Sequence, residues 1–320
     1  PALRAALPPD PPARWTPPSA DDALTFAPEP ILWTRASPRR CYWNRCAFCV
    51  QNVKLDDPRT PSIGEIPAAT LRLRAQREAG YRHLYLSDEA LSPHSLRELA
   101  RSLLASDLDL RWACPCKLEI SFDRALGEVV HTAGCRELLF GVETVSPRSL
   151  RVMDKWVDGL DAVRTTEILH ELNAAGLGIH VNLLAGFPGA TLEETVADVD
   201  WAIATLRPMR STTYTLNPFV LYPGTPVFAQ AERFGIEPAA DDGDMPSSYA
   251  YRMEHALVGE GLAIAEQLPR LAGRLATALG WAEIAQLPGG PDALALIHGS
   301  GHGCVLKALD PNPFANPLET

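Results

Sequence analysis

Three cysteines fall within nine residues, Cys41, Cys46 and Cys49, separated by four residues and then by two. Thiolates packed this closely select iron–sulfur clusters, zinc or Cu(I) over hard cations. Three thiolates are one short of the closed tetrahedral set of a structural zinc site. A four-iron cluster held by three thiolates leaves one iron without a protein ligand, where something can bind and react. A closed site would instead need a fourth ligand, and Cys114, Cys116 and Cys135 are the candidates. Phe48 precedes the last cysteine of the group, and Ser37, Arg39 and Arg40 give the loop a polar approach.

The rest of the chain bounds what such a site can serve. A length of 320 residues suits one α/β barrel-like domain with an appendage. The 39 acidic residues outnumber the 29 basic ones, for a net charge of −10, which argues against a nucleic-acid surface. No apolar run reaches membrane-spanning length, and no signal peptide is visible. Seven cysteines, three of them clustered, do not read as a disulfide framework in a chain this long, so a reducing cytoplasm is expected. The chain starts on Pro1 and not on Met, which leaves room for residues upstream.

Residues 1–30 hold nine prolines and are expected to form a linker or arm. From Ile31 the chain alternates short apolar runs with amphipathic stretches. Strands are predicted at Ile31–Thr34, His83–Leu86, Arg111–Leu118, Glu137–Phe140, His180–Ala185 and Thr213–Val220. Helices are predicted over Pro67–Ala79, behind Ser92-Pro93, from a Ser121 cap to about Thr132, behind Ser146-Pro147 and over Asp161–Ala175. A further helix follows the Thr191/Glu194 capping box, where Leu192, Val196, Val199, Ile203 and Leu206 recur four and three apart. Such alternation predicts a parallel sheet with helical crossovers, a partial TIM-type (β/α)6 barrel over residues 31–222. Residues 223–320 are expected to form a small, mostly helical extension. It would contain a turn at Pro223–Pro226, a solvated loop at Asp241–Asp244, and helices Leu257–Leu268 and Leu271–Leu279 broken at Pro269. In folds of this kind chemistry gathers at the C-terminal ends of the strands, and the cysteine loop follows the first one.

Other strand ends are polar too. Ser87-Asp88-Glu89 follows the second strand, Gly141-Val142-Glu143-Thr144 the fourth, and Gly186-Phe187-Pro188-Gly189 the fifth. Together with Cys46-Ala47-Phe48-Cys49, these elements resemble the radical S-adenosylmethionine (radical SAM) superfamily over about residues 31–226. The first cysteine gap is one residue longer than the pattern usual there, C-x-x-x-C-x-φ-C with φ aromatic. The resemblance implies a [4Fe–4S] cluster on Cys41, Cys46 and Cys49, with SAM chelating its open iron. It implies that Asp88 and Glu89 meet the methionine amino group, that Glu143 binds the ribose and that Asn182 makes a second ribose contact. Lys155 would take the methionine carboxylate, as a point charge, and Phe48 would flank the cofactor.

The implied reaction is reductive cleavage of SAM to a 5′-deoxyadenosyl radical, followed by C–H functionalisation, methylation included, of a small molecule or peptide. A flavodoxin or ferredoxin would donate the electron. The acidic pair and the two glycine-bearing motifs are most similar to the class in which a cobalamin-binding domain precedes the barrel. Cobalamin is therefore a further implied cofactor, and the proline-rich start is where such a domain would join. The competing readings are a cobalamin-free radical SAM maturase or rearrangement enzyme, and a non-catalytic zinc or iron–sulfur protein for structure or electron transfer. The last leaves Asp88, Glu143, Lys155 and the Gly-Phe-Pro-Gly run without a role.

Cys114 and Cys116 are two apart on a strand and share a face. If that face lines the barrel, they belong to the substrate side; if not, they are inert core thiols. Cys135 is expected to be structural. His298, His302 and Cys304 have a loose metal-like spacing in a glycine-rich tail. His180 alternates with Asn182, so it either faces the barrel or is a satisfied core histidine.

Overall fold

The computed structural model describes residues 31–36, 41–49, 66–210, 212–219, 221–222, 224–236 and 260–279. The proline-rich residues 1–30, Ser37, Arg39, Arg40, the loop 241–244 and His298, His302 and Cys304 lie outside the described residues.

Six strands form one sheet in chain order, every pair parallel: β1 Ile31–Thr34, β2 His83–Leu86, β3 Arg111–Cys116, β4 Cys135–Glu143, β5 Gly178–Ala185 and β6 Thr212–Pro218. Between them run α1 Ile66–Glu78, α2 Pro93–Ala105, α3 Arg124–Thr132, α4 Pro147–Val152, α5 Ala162–Ala174 and α6 Leu192–Leu206. Parallel neighbours need such crossovers, and the sheet must bury both faces. This is the six-fold β/α alternation expected from the sequence.

The strand register sorts the side chains into two sets. Leu84, Trp112, Cys114, Leu138, Phe140, Val181 and Tyr214 belong to the main core, packed against the helices. The alternate positions face inward. Trp33, Tyr85, Ala113 and Leu139 form an apolar cluster on one side, while Glu137, His180, Asn182, Thr213 and Thr215 make a polar one. Cys114 and Cys116 are therefore not on the face that lines the barrel interior. They do share a face, with sulfurs 3.8 Å apart, but that face packs against helices. The spacing set their common side, and only the pairing with Leu138 and Phe140 decides which side it is.

Two further expectations change. Helix α3 is capped by Asp123, whose carboxylate accepts the Leu126 N–H at 2.7 Å, and not by Ser121. The C-terminal helix is continuous over Glu260–Leu279 (α8) and passes through Pro269. Ile264, Leu271, Leu275 and Leu279 form one buried stripe against α6, β5 and β6. Packing along that stripe outweighs the one backbone bond that Pro269 removes. Between β6 and α8, Thr225 caps the short α7, Pro226–Ala229, and a 3-10 turn follows at Ala231–Phe234. Among the described residues no helix is long and apolar enough to cross a membrane.

Candidate functional site

The cysteine loop sits at the C-terminal end of β1 and is held from three sides. Ala47 N–H donates to Met153 O at 2.8 Å, and Val227 N–H donates to Ala47 O at 3.0 Å. The Trp43 indole N–H donates to Asp154 O at 2.8 Å. Within the loop, Cys49 N–H donates to Cys46 O at 3.1 Å. Ala47, Met153, Phe187, Phe219, Leu221, Val227, Ala231 and Ile236 make a second hydrophobic core, joined by Phe48 and Phe234. Phe187 is its hub, in edge contact with Phe48, Phe219 and Phe234. The segment around α7 thus clamps the loop that carries the three thiols.

Cys41, Cys46 and Cys49 are not in disulfides, and each is partly buried. Burial pushes Cys46 up to about 11, with nearby Lys155 pulling the other way. A buried thiol of this kind is inert until a metal displaces its proton. Among the described residues no three His, Cys, Asp or Glu side chains gather closely enough to hold one metal ion. A four-iron cubane spreads three thiolates wider than the roughly 3.8 Å of a tetrahedral zinc site, so a three-thiol loop can hold one without gathering that closely.

Behind the loop stand Glu143 and Lys155. Lys155 Nζ donates to Glu143 Oε1 at 2.6 Å, with both side chains largely buried. Burial works against the Lys155 charge, but Glu143, Cys46 and Cys49 around it raise its pKa. Glu143 adopts φ +66°, a left-handed conformation rare for residues with a side chain. Strain of this kind persists where the surroundings impose it. Here Thr144 Oγ1 and Val145 N–H donate to Asp198 Oδ1 on α6, at 3.0 and 2.7 Å. Gly141 lies under the pair, and a Cβ there would meet Glu143 Oε1 at 2.6 Å and Lys155 Nζ at 2.8 Å.

The Gly-Phe-Pro-Gly turn is fixed by the same helix. Glu194 closes the capping box on Thr191 and also accepts from Ser146 Oγ at 2.6 Å and from Arg148 Nε at 3.0 Å. Burial raises the Glu194 pKa, yet its bonds from Arg148 and Ser146 prevail and hold it down at about 2. Asp88 is buried and accepts Ala36 N–H at 2.7 Å, which ties the end of β1 to the end of β2. Glu89 lies 3.7 Å from Arg35. Burial raises the Glu89 pKa against that arginine. Asn182 lies on the inward face of β5, bonded to His180 and Thr215.

The structure therefore brings Phe48, Cys46, Cys49, Glu143 and Lys155 together. Lys155 Nζ lies 5.7 Å from the Phe48 ring centre. Asp88 instead has a visible role in holding backbone. Sequence reasoning missed Lys117, whose ammonium sits 3.8 Å from the centre of the Trp43 ring and donates to Leu118 O at 3.3 Å. Burial, with Lys155 close by, lowers it to about 8. Its signal was present, since Lys117 directly follows Cys116, the last residue of β3. It missed Tyr42 as well, whose hydroxyl donates to Glu119 across the loop.

A six-stranded parallel sheet with helical crossovers, and with a three-cysteine loop after its first strand, defines the class: the chain has the radical SAM fold. Solved structures agree. The radical S-adenosylmethionine methyltransferase TsrM of Kitasatospora setae, determined with cobalamin and a [4Fe-4S] cluster, superposes with a TM-score of 0.53 at 21% identity, over 76% of this chain and 52% of TsrM. The cobalamin-dependent S-adenosylmethionine radical enzyme OxsB, with aqua-cobalamin and S-adenosylmethionine, gives a TM-score of 0.54 at 16% identity, over 76% of this chain and 41% of OxsB. In sequence, an uncharacterized methyltransferase of Pyrococcus horikoshii is 26% identical over 172 residues, 51% of this chain and 35% of the relative. The chain thus matches only about a third to a half of the length of these proteins. No protein-family model matches the chain.

Proposed function

We propose that the protein is a radical SAM enzyme in which Cys41, Cys46 and Cys49 hold a [4Fe–4S] cluster and the mouth of the barrel holds SAM. The observation that carries this reading is the meeting of Cys46 and Cys49 with the buried Glu143–Lys155 pair at the ends of the strands. A cluster bound there would supply the electron that cleaves SAM, so that the resulting 5′-deoxyadenosyl radical functionalises a C–H bond.

The protein's own part is positioning and exclusion of water. Lys155 offers an ammonium to the methionine carboxylate, and Glu143 offers acceptor oxygens to the ribose hydroxyls. Asn182 adds an amide on the neighbouring strand. Phe48 and Phe187 close the apolar side of the loop against water and oxygen. Glu89 is the acid available to the amino group, with Asp88 behind it. Methyl transfer to a small molecule or peptide is the favoured reaction, supported by the likeness to TsrM and to the Pyrococcus relative. Cobalamin enters this reading through the resemblance of the acidic pair and the glycine-bearing motifs and through the solved neighbours; no described residue is assigned to it. A flavodoxin or ferredoxin of the cytoplasm is the proposed electron donor.

Anaerobic reconstitution with iron and sulfide, then dithionite and SAM, tests the reading. The expected result is about four irons per chain and 5′-deoxyadenosine in the parent, with neither in Cys46→Ala. About one zinc per chain and no product would sink it in favour of a structural metal.

A further inference from the structure

A continuous hydrogen-bonded file crosses the barrel interior below Asn182. Glu137 Oε1 lies 3.0 Å from Thr213 Oγ1, and Thr213 Oγ1 lies 2.6 Å from His180 Nδ1. His180 Nε2 lies 3.0 Å from Asn182 Oδ1. Asn182 Oδ1 also accepts Thr215 Oγ1–H at 2.5 Å, and Asn217 Nδ2 donates to Thr215 Oγ1 at 3.0 Å. Glu137 and His180 are only 2% and 1% exposed, so no solvent exchange offsets a wrong donor or acceptor. Among the described residues Glu137 Oε2 has no hydrogen-bond partner.

The donors and acceptors allow few arrangements. Asn182 Oδ1 can only accept, so His180 Nε2 must carry a proton. If Glu137 is a carboxylic acid, it donates to Thr213, Thr213 donates to His180 Nδ1, and the imidazole is neutral. If Glu137 is a carboxylate, Thr213 donates to it and His180 must be an imidazolium. Both arrangements hold one proton between the acid and the imidazole, and both put an N–H on Nε2. Burial lifts Glu137 to about 7 and lowers His180 to about 4, which selects the neutral arrangement below about pH 7. Among the described residues Tyr85 and Cys135 also feel Glu137, and burial holds both neutral.

We propose that Glu137, Thr213 and His180 are positioning residues whose single shared proton fixes the Asn182 amide, so that Asn182 offers its Nδ2 hydrogens as donors to an acceptor oxygen of the bound nucleoside. The SAM part of this inference rests on the proposed function; the direction of the chain does not. Loss of the shared proton would turn His180 Nε2 into an acceptor and reverse the amide.

The test has two readouts. Nitrogen-15 shifts of the histidine rings at about pH 6, with His180→Gln to assign the signal, report the tautomer without any cluster. The expected result is a neutral Nε2–H ring in the parent and in Glu137→Gln, whose amide still donates to Thr213. Thr213→Val should lose that signature. A neutral ring protonated on Nδ1 in the parent would overturn the proposal. Calorimetric SAM binding to reconstituted protein is the second readout. Thr213→Val, Glu137→Leu and Asn182→Asp should each weaken binding roughly threefold to tenfold, with Glu137→Gln within about twofold of the parent. Equal affinity across all variants would overturn the positioning role even with the expected tautomer. A parent protein that binds no SAM would sink the proposed function and this role with it, a result distinct from equal affinities.

Discussion

Lys155 Nζ lies 2.6 Å from Glu143 Oε1, so two side chains that the radical SAM pattern assigns to different ends of one ligand hold each other. Removing one partner leaves the other charged and largely buried. Lys155→Met should therefore lower the unfolding free energy by about 3 kcal/mol. The double variant Lys155→Met/Glu143→Gln should recover most of that loss, since no lone charge remains. Urea denaturation of these two variants and of Glu143→Gln alone checks this, and simple additivity of the two single losses would refute it.

Gly141 separates fold from binding. Its added Cβ would press on the ends of Glu143 and Lys155, which are movable side chains and not backbone. Gly141→Ala is expected to keep the urea midpoint near that of the parent while weakening SAM binding about tenfold, the worth of one displaced hydrogen bond to a charged group. A large fall in midpoint with unchanged binding would contradict it.

Phe187 ties the cysteine loop to the segment around α7 through Phe48, Phe219 and Phe234. It is 1% exposed. Phe187→Ala should lower stability by about 3–5 kcal/mol through the cavity it leaves. Iron bound per chain on reconstitution should fall too, since the loop loses its clamp. Full iron loading in a destabilised variant would mean that the loop is held mainly by its backbone bonds.

Glu137 and His180 make opposite contributions to the pH dependence of stability. His180, lowered to about 4 by burial, contributes stability that is present above its unfolded value and lost as pH falls through about 4. Glu137, raised to about 7 by burial, contributes stability that is present at low pH and lost as pH rises through about 7. Between about pH 4.5 and 6.5 the two slopes cancel. Glu137→Gln removes one of them. Its stability relative to the parent should fall with acidification by up to about 1.4 kcal/mol per pH unit across that window. Parallel curves for parent and variant would show that the two groups do not titrate as placed.

Much of the fold was legible in the chain because period and caps are local signals. Ser92, Ser146 and Thr191 cap the helices expected of them, and each of the six predicted strands is present. The errors also have local causes. Ser121 and Asp123 are equally plausible caps two residues apart, and only the bond to Leu126 selects Asp123. Pro269 reads as a break, while the stripe packed on α6 keeps the helix whole. The candidate site was legible as a set of residue types at strand ends. That Glu143 would meet Lys155, and that Asp88 would hold Ala36, was not, since both depend on which atoms arrive together.

The sequence by itself determined the three-thiol loop, the six-fold β/α alternation and the polar strand ends. Composition, spacing and periodicity are properties of neighbouring residues, and they survive without any long-range contact. The tertiary structure decided which side of the sheet Cys114, Cys116, Glu137 and His180 face. It also decided what clamps the cysteine loop and which side chains share a proton. Those outcomes turn on strand register and on contacts between residues far apart in the chain, where one shift in pairing exchanges the inner and outer faces.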